Sequence, residues 1–177
     1  MRFIETPLKG LYVTEPKKLV DQRGLFTRTF CKNEFSEIGF TKELVQFNHS
    51  FNIKEGTVRG MHYQNPPYAE SKLIRCVQGK VFDIAVDVRQ DSPTYLKYFG
   101  IELSMENMLS IFIPDGFAHG FQTLEAKSSL IFHHSAYYAP EADAGIRFDD
   151  PAIAINWPLE PVNMSDKDKN YPLINLK

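Results

Sequence analysis

The sequence contains no apolar run long enough to cross a membrane as a helix, which excludes a helical anchor within it. It also has no block of basic residues. Its 20 Lys and Arg stand against 22 Asp and Glu, so no field-forming surface for nucleic acid is expected. An anionic partner must therefore be met by local arginines and lysines. The amino end, Met1-Arg2-Phe3-Ile4-Glu5-Thr6-Pro7, lacks the apolar core of a signal peptide. Cysteine is scarce, and Cys31 and Cys76 without an export signal are expected to be reduced thiols in a cytoplasmic protein. Helical periodicity is nearly absent, and no repeat or low-complexity linker divides the chain, so residues 1–177 are expected to form one domain.

What is present is one short β-rich run after another, each bounded by Gly, Pro or Asp turns. Strands are expected at 10–14, 25–30, 44–50, 58–64, 73–77, 81–88, 98–103, 109–113, 120–124 and 129–134. Gln78-Gly79-Lys80 marks a tight hairpin. The one clear helical segment is 34–38, with Asn33 as its N-cap and Gly39 as its stop. Many short strands with regular turns and little helix point to an all-β, double-sheet jelly roll with a few short helices.

The stretch Val58-Arg59-Gly60-Met61-His62-Tyr63-Gln64 concentrates groups that carry chemistry. Read as a strand, it sends Arg59, Met61 and Tyr63 to one face and Val58, Gly60, His62 and Gln64 to the other. Gly56 six positions before His62 fits the opening of the first cupin motif, and Pro114-Asp115-Gly116-Phe117-Ala118-His119 fits the second. A metal-binding cupin needs a second histidine two positions after the first, and Gln64 stands there. His62 and His119 alone are too few for the usual three-ligand site, so no metal is expected.

Taken together, these blocks resemble the dTDP-4-dehydrorhamnose 3,5-epimerase family of nucleotide-sugar epimerases. The resemblance runs nearly end to end. It is carried by Asp21-Gln22-Arg23-Gly24, Gln46-Phe47-Asn48-His49-Ser50, Arg59-Gly60-Met61-His62-Tyr63-Gln64 and Pro66-Pro67-Tyr68-Ala69-Glu70-Ser71-Lys72-Leu73. It continues through Val81 to Asp87, Asp91-Ser92-Pro93-Thr94, Ile113 to Phe121, Tyr137-Tyr138-Ala139-Pro140 and Ser165-Asp166-Lys167-Asp168. It implies a cupin that needs no cofactor and works as a homodimer with exchanged amino-terminal strands. The implied substrate is a nucleotide-diphosphate 4-keto-6-deoxy sugar.

A 4-keto group acidifies the hydrogens on C3 and C5, because the carbanion delocalises as an enolate. Epimerisation then needs a base, a cation or donor for the enolate oxygen, and an acid on the opposite face. By resemblance His62 is the base and Asp168 orients its ring. Lys72 faces the oxyanion, and His119 lies near the sugar and shares that role. Arg23 and Arg59 match residues that grip pyrophosphate and sugar, to which a guanidinium fork is suited. Gln46 and Asn48 match polar ligand contacts, Tyr138 an aromatic under the base, and Asp143 and Lys167 further nucleotide contacts. Through the exchanged strands, Arg23 and Phe26 serve the neighbouring subunit's site.

Two positions depart from the family. Its acid is a tyrosine six residues before the second tyrosine of the Tyr-Tyr-Ala-Pro block, and that position here is Phe132. Its ligand-contacting glutamate is replaced by Arg28. Period two places His134 on the face of Phe132, with Tyr138 following if no bulge intervenes. His134 is then either a substitute proton donor or a ring packed in the wall. Function is expected to be inversion at C3, alone or together with C5. The alternatives are a 3,4-ketoisomerase using the same base and an inactive cupin that only binds nucleotide sugars.

Overall fold

The structure, a computed structural model, describes residues 1–175. Within these residues the strands are β1 (Arg2–Glu5), β2 (Tyr12–Glu15), β3 (Leu19–Asp21), β4 (Gly24–Phe26), β5 (Gln46–Asn52), β6 (Val58–Gln64) and β7 (Lys72–Gln78). They continue with β8 (Lys80–Asp87), β9 (Tyr98–Ser104), β10 (Ser110–Ile113), β11 (Phe117–Thr123), β12 (Ser128–His134) and β13 (Asp143–Gly145). Two short helices, α1 (Lys32–Ser36) and α2 (Asp166–Lys169), accompany them. One antiparallel sheet runs β1-β2-β10-β7-β12-β5, the second runs β13-β6-β11-β8-β9, and β3-β4 is a separate hairpin. This is the jelly roll expected from the strand pattern.

Period-two alternation decides which side chains meet between the sheets. Ile74 and Cys76 of β7, Leu130 of β12, Val81 and Ala85 of β8, and Phe117 and Phe121 of β11 all enter one buried cluster. Their neighbours in sequence face outward. Ile84, Val86 and Ala118 pack under Ile146 and Ile153 on the far side of the second sheet. Leu73 and Phe112 pack under Phe35 and Phe40 on the far side of the first. The same alternation carries Lys72, Asp83, His119, Phe132 and His134 inward at one end of the sandwich. The apolar cluster fills the other end.

The structure corrects several boundaries. β4 stops at Phe26, short of Phe30, because Phe30 leaves the hairpin to pack on Phe35, with ring centroids 4.8 Å apart. The helix begins at Lys32 with Cys31 in the cap position and no side-chain cap, and Asn33 lies inside it. β1, β3 and β13 have only three or four residues each, too few to show a pattern in the sequence.

Candidate active site

A cavity of about 700 Å³ opens between the sheets where the apolar cluster ends. Phe121 and Phe132, with centroids 6.2 Å apart, separate the two. His62 enters from β6 through a local irregularity. In the ladder with β11, His62 pairs with His119 but Arg59 pairs with Phe121, so three residue steps on β6 span two on β11. This bulge corrects the simple alternation: Arg59 and His62 share the inward face, and Met61 between them is buried on the outer one. Gly60 makes the bulge possible. At its φ of +137°, an added Cβ would lie 2.5 Å from the Cα of Gly120.

Asp168 meets His62 from α2. Ser165 caps that helix by accepting from the Asp168 N–H at 3.1 Å, which aims the buried carboxylate at the sheet. His62 Nε2 lies 2.8 Å from Asp168 Oδ1, and the Gly60 N–H donates to Oδ2 at 3.3 Å. Burial alone would raise the Asp168 pKa, but the bond and charge of His62 outweigh it, aided by the Gly60 and Ser165 bonds. The carboxyl is held below the usual range. A carboxylate only accepts, so Nε2 carries the hydrogen and Nδ1 keeps the lone pair. Tyr171 packs edge-on against the His62 ring at 6.2 Å and sits on Gly145, where a Cβ would overlap it.

Lys72 opens β7 and is nearly buried. Its Nζ donates to the His62 carbonyl at 3.2 Å and pairs with Glu70 Oε1 at 3.2 Å. His119 Nε2 bonds both oxygens of Asp83 at 3.0 Å. Burial lowers the His119 pKa against the opposing pull of Asp83, and burial raises that of Asp83. The His119–Asp83 pair thus fixes the ring at the inner wall of the cavity. Gln64, at the position a metal cupin gives to histidine, commits both ends of its amide to backbone. It donates to the Tyr68 and Tyr137 carbonyls and accepts from the Ala139 N–H at 2.7 Å.

On the opposite sheet, His134 Nδ1 lies 2.7 Å from Glu70 Oε2, and its Nε2 lies 3.2 Å from the Asn48 amide nitrogen. At the mouth, Tyr138 Oη donates to Asp143 at 3.2 Å, Lys167 pairs with Asp143, and Gln46 accepts from the Tyr138 N–H. That pairing with Asp143 raises the Lys167 pKa. Arg59 is held through Nε by Asn52 Oδ1 at 2.7 Å. Tyr138 lies beyond the end of β12 yet still lines the cavity.

The fold thus brings together His62, Asp168, Lys72, His119, Asn48, Arg59, Phe132, His134, Tyr138, Asp143 and Lys167. Gln46 touches this group through Tyr138. It does not bring in Arg23, Phe26 or Arg28. Arg23 pairs with Asp21, Arg28 with Glu34, and Phe26 is exposed on the hairpin. Three participants escape a reading of the sequence alone: Glu70, Asp83 and Tyr171. Only Asp83 leaves a trace there, as a charge on the inward face of an otherwise apolar strand.

Known proteins resemble this chain in sequence and in fold. The family model described as dTDP-4-dehydrorhamnose 3,5-epimerase matches residues 5–175. The dTDP-4-dehydrorhamnose 3,5-epimerase of Shigella flexneri is 43% identical over 96% of this chain and 94% of its own. The dTDP-4-dehydrorhamnose 3-epimerase of Streptomyces niveus is 32% identical over 98% of this chain and 84% of its own. The crystal structure of dTDP-6-deoxy-D-glucose-3,5-epimerase from Legionella pneumophila, in complex with dTDP-4-keto-L-rhamnose, superposes with a TM-score of 0.92 at 40% identity. That match covers 97% of this chain and 92% of the other. With the fold, the extent of the match and the identities in agreement, the chain belongs to the dTDP-4-dehydrorhamnose 3,5-epimerase family, sugar epimerases of deoxysugar biosynthesis.

Proposed function

We propose that the chain inverts C3 of a nucleotide-linked 4-keto-6-deoxyhexose, with His62 as base and Lys72 facing the enolate oxygen. The observation that carries this reading is the His62–Asp168 pair, joined at 2.8 Å beside the Lys72 ammonium in one cavity. Asp168 fixes the ring with Nδ1 as the basic nitrogen and stabilises the imidazolium after proton transfer. The electron pair of the C3–H bond moves into a C3–C4 double bond, and the C4 oxygen takes the negative charge against Lys72. A site that only bound nucleotide sugars would need no oriented imidazole. His119, held by Asp83 in the same cavity, lies near the sugar and shares the oxyanion role with Lys72. Arg59 and Asn48 hold the sugar diphosphate, while Tyr138, Asp143 and Lys167 hold the nucleoside.

Inversion at C3 alone is read from Phe132 in the cavity wall, where the family has a phenol. We also assign a homodimer in which β3-β4 reaches the partner's cavity with Arg23 and Phe26. Support comes from the exposure of Val20 (74%) and Phe26 (73%), neither of which lines the chain's own cavity. Residues 1–177 are read as one domain acting in the cytoplasm. The test is to incubate the enzyme with a nucleoside-diphosphate 4-keto-6-deoxyhexose, reduce the product chemically, and identify the 6-deoxyhexose released. A C3-inverted sugar supports the reading. A sugar inverted at neither carbon, or a carbonyl moved to C3, overturns it.

A further inference from the structure

We propose that His134, held by Glu70, is the acid that protonates C3 from the face opposite His62. This rests on the function proposed above and supplies the half of the reaction that Phe132 cannot.

Three histidines paired to carboxylates line the cavity: His62–Asp168 and His119–Asp83 on one wall, and His134–Glu70 on the facing one. His62 belongs to β6 of one sheet, and His134 belongs to β12 of the other. Both rings line the same cavity. The His134–Glu70 bond, at 2.7 Å, matches the 2.8 Å of the first pair, and both partners are about one-tenth exposed. Glu70 only accepts, so the His134 ring carries its Nδ1 proton toward Glu70 and leaves Nε2 as the exchanging nitrogen.

Three features fit this ring to donate a proton. The first is the counter-charge. Burial alone would raise the Glu70 pKa, but the bonds and charges of His134 and Lys72 overcome it and hold the carboxyl below its usual range. An ionised Glu70 stabilises the imidazolium that must exist before donation. The second is Asn48, whose amide nitrogen faces Nε2 at 3.2 Å. Turned over, the same amide presents oxygen to a protonated Nε2, so either state of the ring finds a partner. Gln46 stays in place because its Oε1 accepts from the Tyr138 N–H at 3.0 Å, so the turn gives up only the long 3.3 Å Gln46–Asn48 bond. The third is location. Phe132 stacks on His134 with centroids 6.2 Å apart and planes at 15°, placing the imidazole directly beside the position where the family has its tyrosine.

The step balances. His62 Nδ1 removes the C3 proton and the C3–H electrons form the enolate. The enolate's C3 then takes the Nε2 proton of His134 on the other face, the C4 carbonyl re-forms, and His134 is left neutral. Water returns a proton to His134 and removes one from His62. Glu70 is a positioning residue, acting through His134 and through its pair with Lys72.

The experiment separates proton removal from inversion. The parent, His134→Asn and Glu70→Gln are each incubated with the 4-ketosugar nucleotide in deuterated water. Deuterium at C3 and inverted product are followed together by NMR. In His134→Asn, deuterium still enters C3 with retention, because His62 can return a solvent deuteron to its own face. Inverted product falls by about 100-fold or more. Glu70→Gln lowers the same ratio of inversion to exchange by about tenfold, an effect that a merely structural role would not produce. Inverted product at the parental rate in His134→Asn overturns the proposal. So does a parallel fall of exchange and inversion in both variants. If the parent exchanges no deuterium with any 4-ketosugar nucleotide, the function proposed above fails instead.

Discussion

Phe132 and His134 lie ring on ring in the cavity wall, two residues apart on β12 with centroids separated by 6.2 Å. Phe132 also meets His119 edge-on at 5.7 Å. The ring of Phe132 is thus clamped between two imidazoles, and a hydroxyl on its rim would project among groups that can accept or relay a proton. Phe132→Tyr is therefore expected to fold normally and to add inversion at C5, giving a fraction of doubly inverted product. NMR of the reduced sugars measures that fraction. A product mixture identical to the parent's would show that the missing phenol does not limit the outcome.

Gly60 decides whether the site forms at all. Its amide donates to Asp168, its φ is +137°, and a Cβ there would press on the Gly120 backbone. Gly60→Ala is expected to cost about 2 kcal/mol or more in urea unfolding. Because the bulge places both Arg59 and His62, turnover should fall further than stability alone explains. A variant as stable and as active as the parent would contradict this account of the bulge.

Acid stability depends on a residue away from the cavity. Asp87 is buried, which by itself would raise its pKa, yet Arg89 and the hydroxyls of Ser92 and Thr94 hold it down to about 2. A depressed folded-state pKa means stability that is present above about pH 4 and lost as pH falls through about 2. Asp87→Asn should lower stability at pH 7 by roughly 1–2 kcal/mol, since Arg89 is partly open to water. It should also flatten the decline between about pH 4 and 2. Urea midpoints across that range give the test, and parallel curves for the two proteins would refute it.

The exposed hairpin gives a prediction for assembly. Leu19, Val20, Leu25 and Phe26 all present apolar surface to solvent in the single chain. If that surface is covered by a partner, Phe26→Asp should shift the protein toward monomer in sedimentation velocity. It should also weaken nucleotide binding, because Arg23 would leave the neighbouring cavity. A monomeric parent would contradict the shared-site arrangement.

Much of this was legible in the sequence because strands obey a period of two. Lys72, Ile74 and Cys76 alternate inward, as do Phe132 and His134, and the hairpin at Gln78-Gly79-Lys80 forms where its turn residues stand. The bulge is not legible, since alternation carries no mark of an inserted step and assigns Arg59 to the face away from His62. Asp168 lay in a polar tail with no pattern of its own, and only resemblance connected it to a residue 106 positions away. Glu70 was hidden for a different reason. A carboxylate just before a strand reads as solvated until the loop is seen folding it back onto His134 and Lys72.

The central claim is that His62, oriented by Asp168, removes the proton from C3. The most direct measurement is deuterium incorporation from solvent into a nucleoside-diphosphate 4-keto-6-deoxyhexose, compared between the parent and His62→Asn at equal nucleotide occupancy. The parent should place deuterium at C3, and His62→Asn should do so roughly 100- to 10,000-fold more slowly while binding nucleotide as before. Asp168→Asn should fall between them. Near-parental exchange at C3 in His62→Asn would contradict the account.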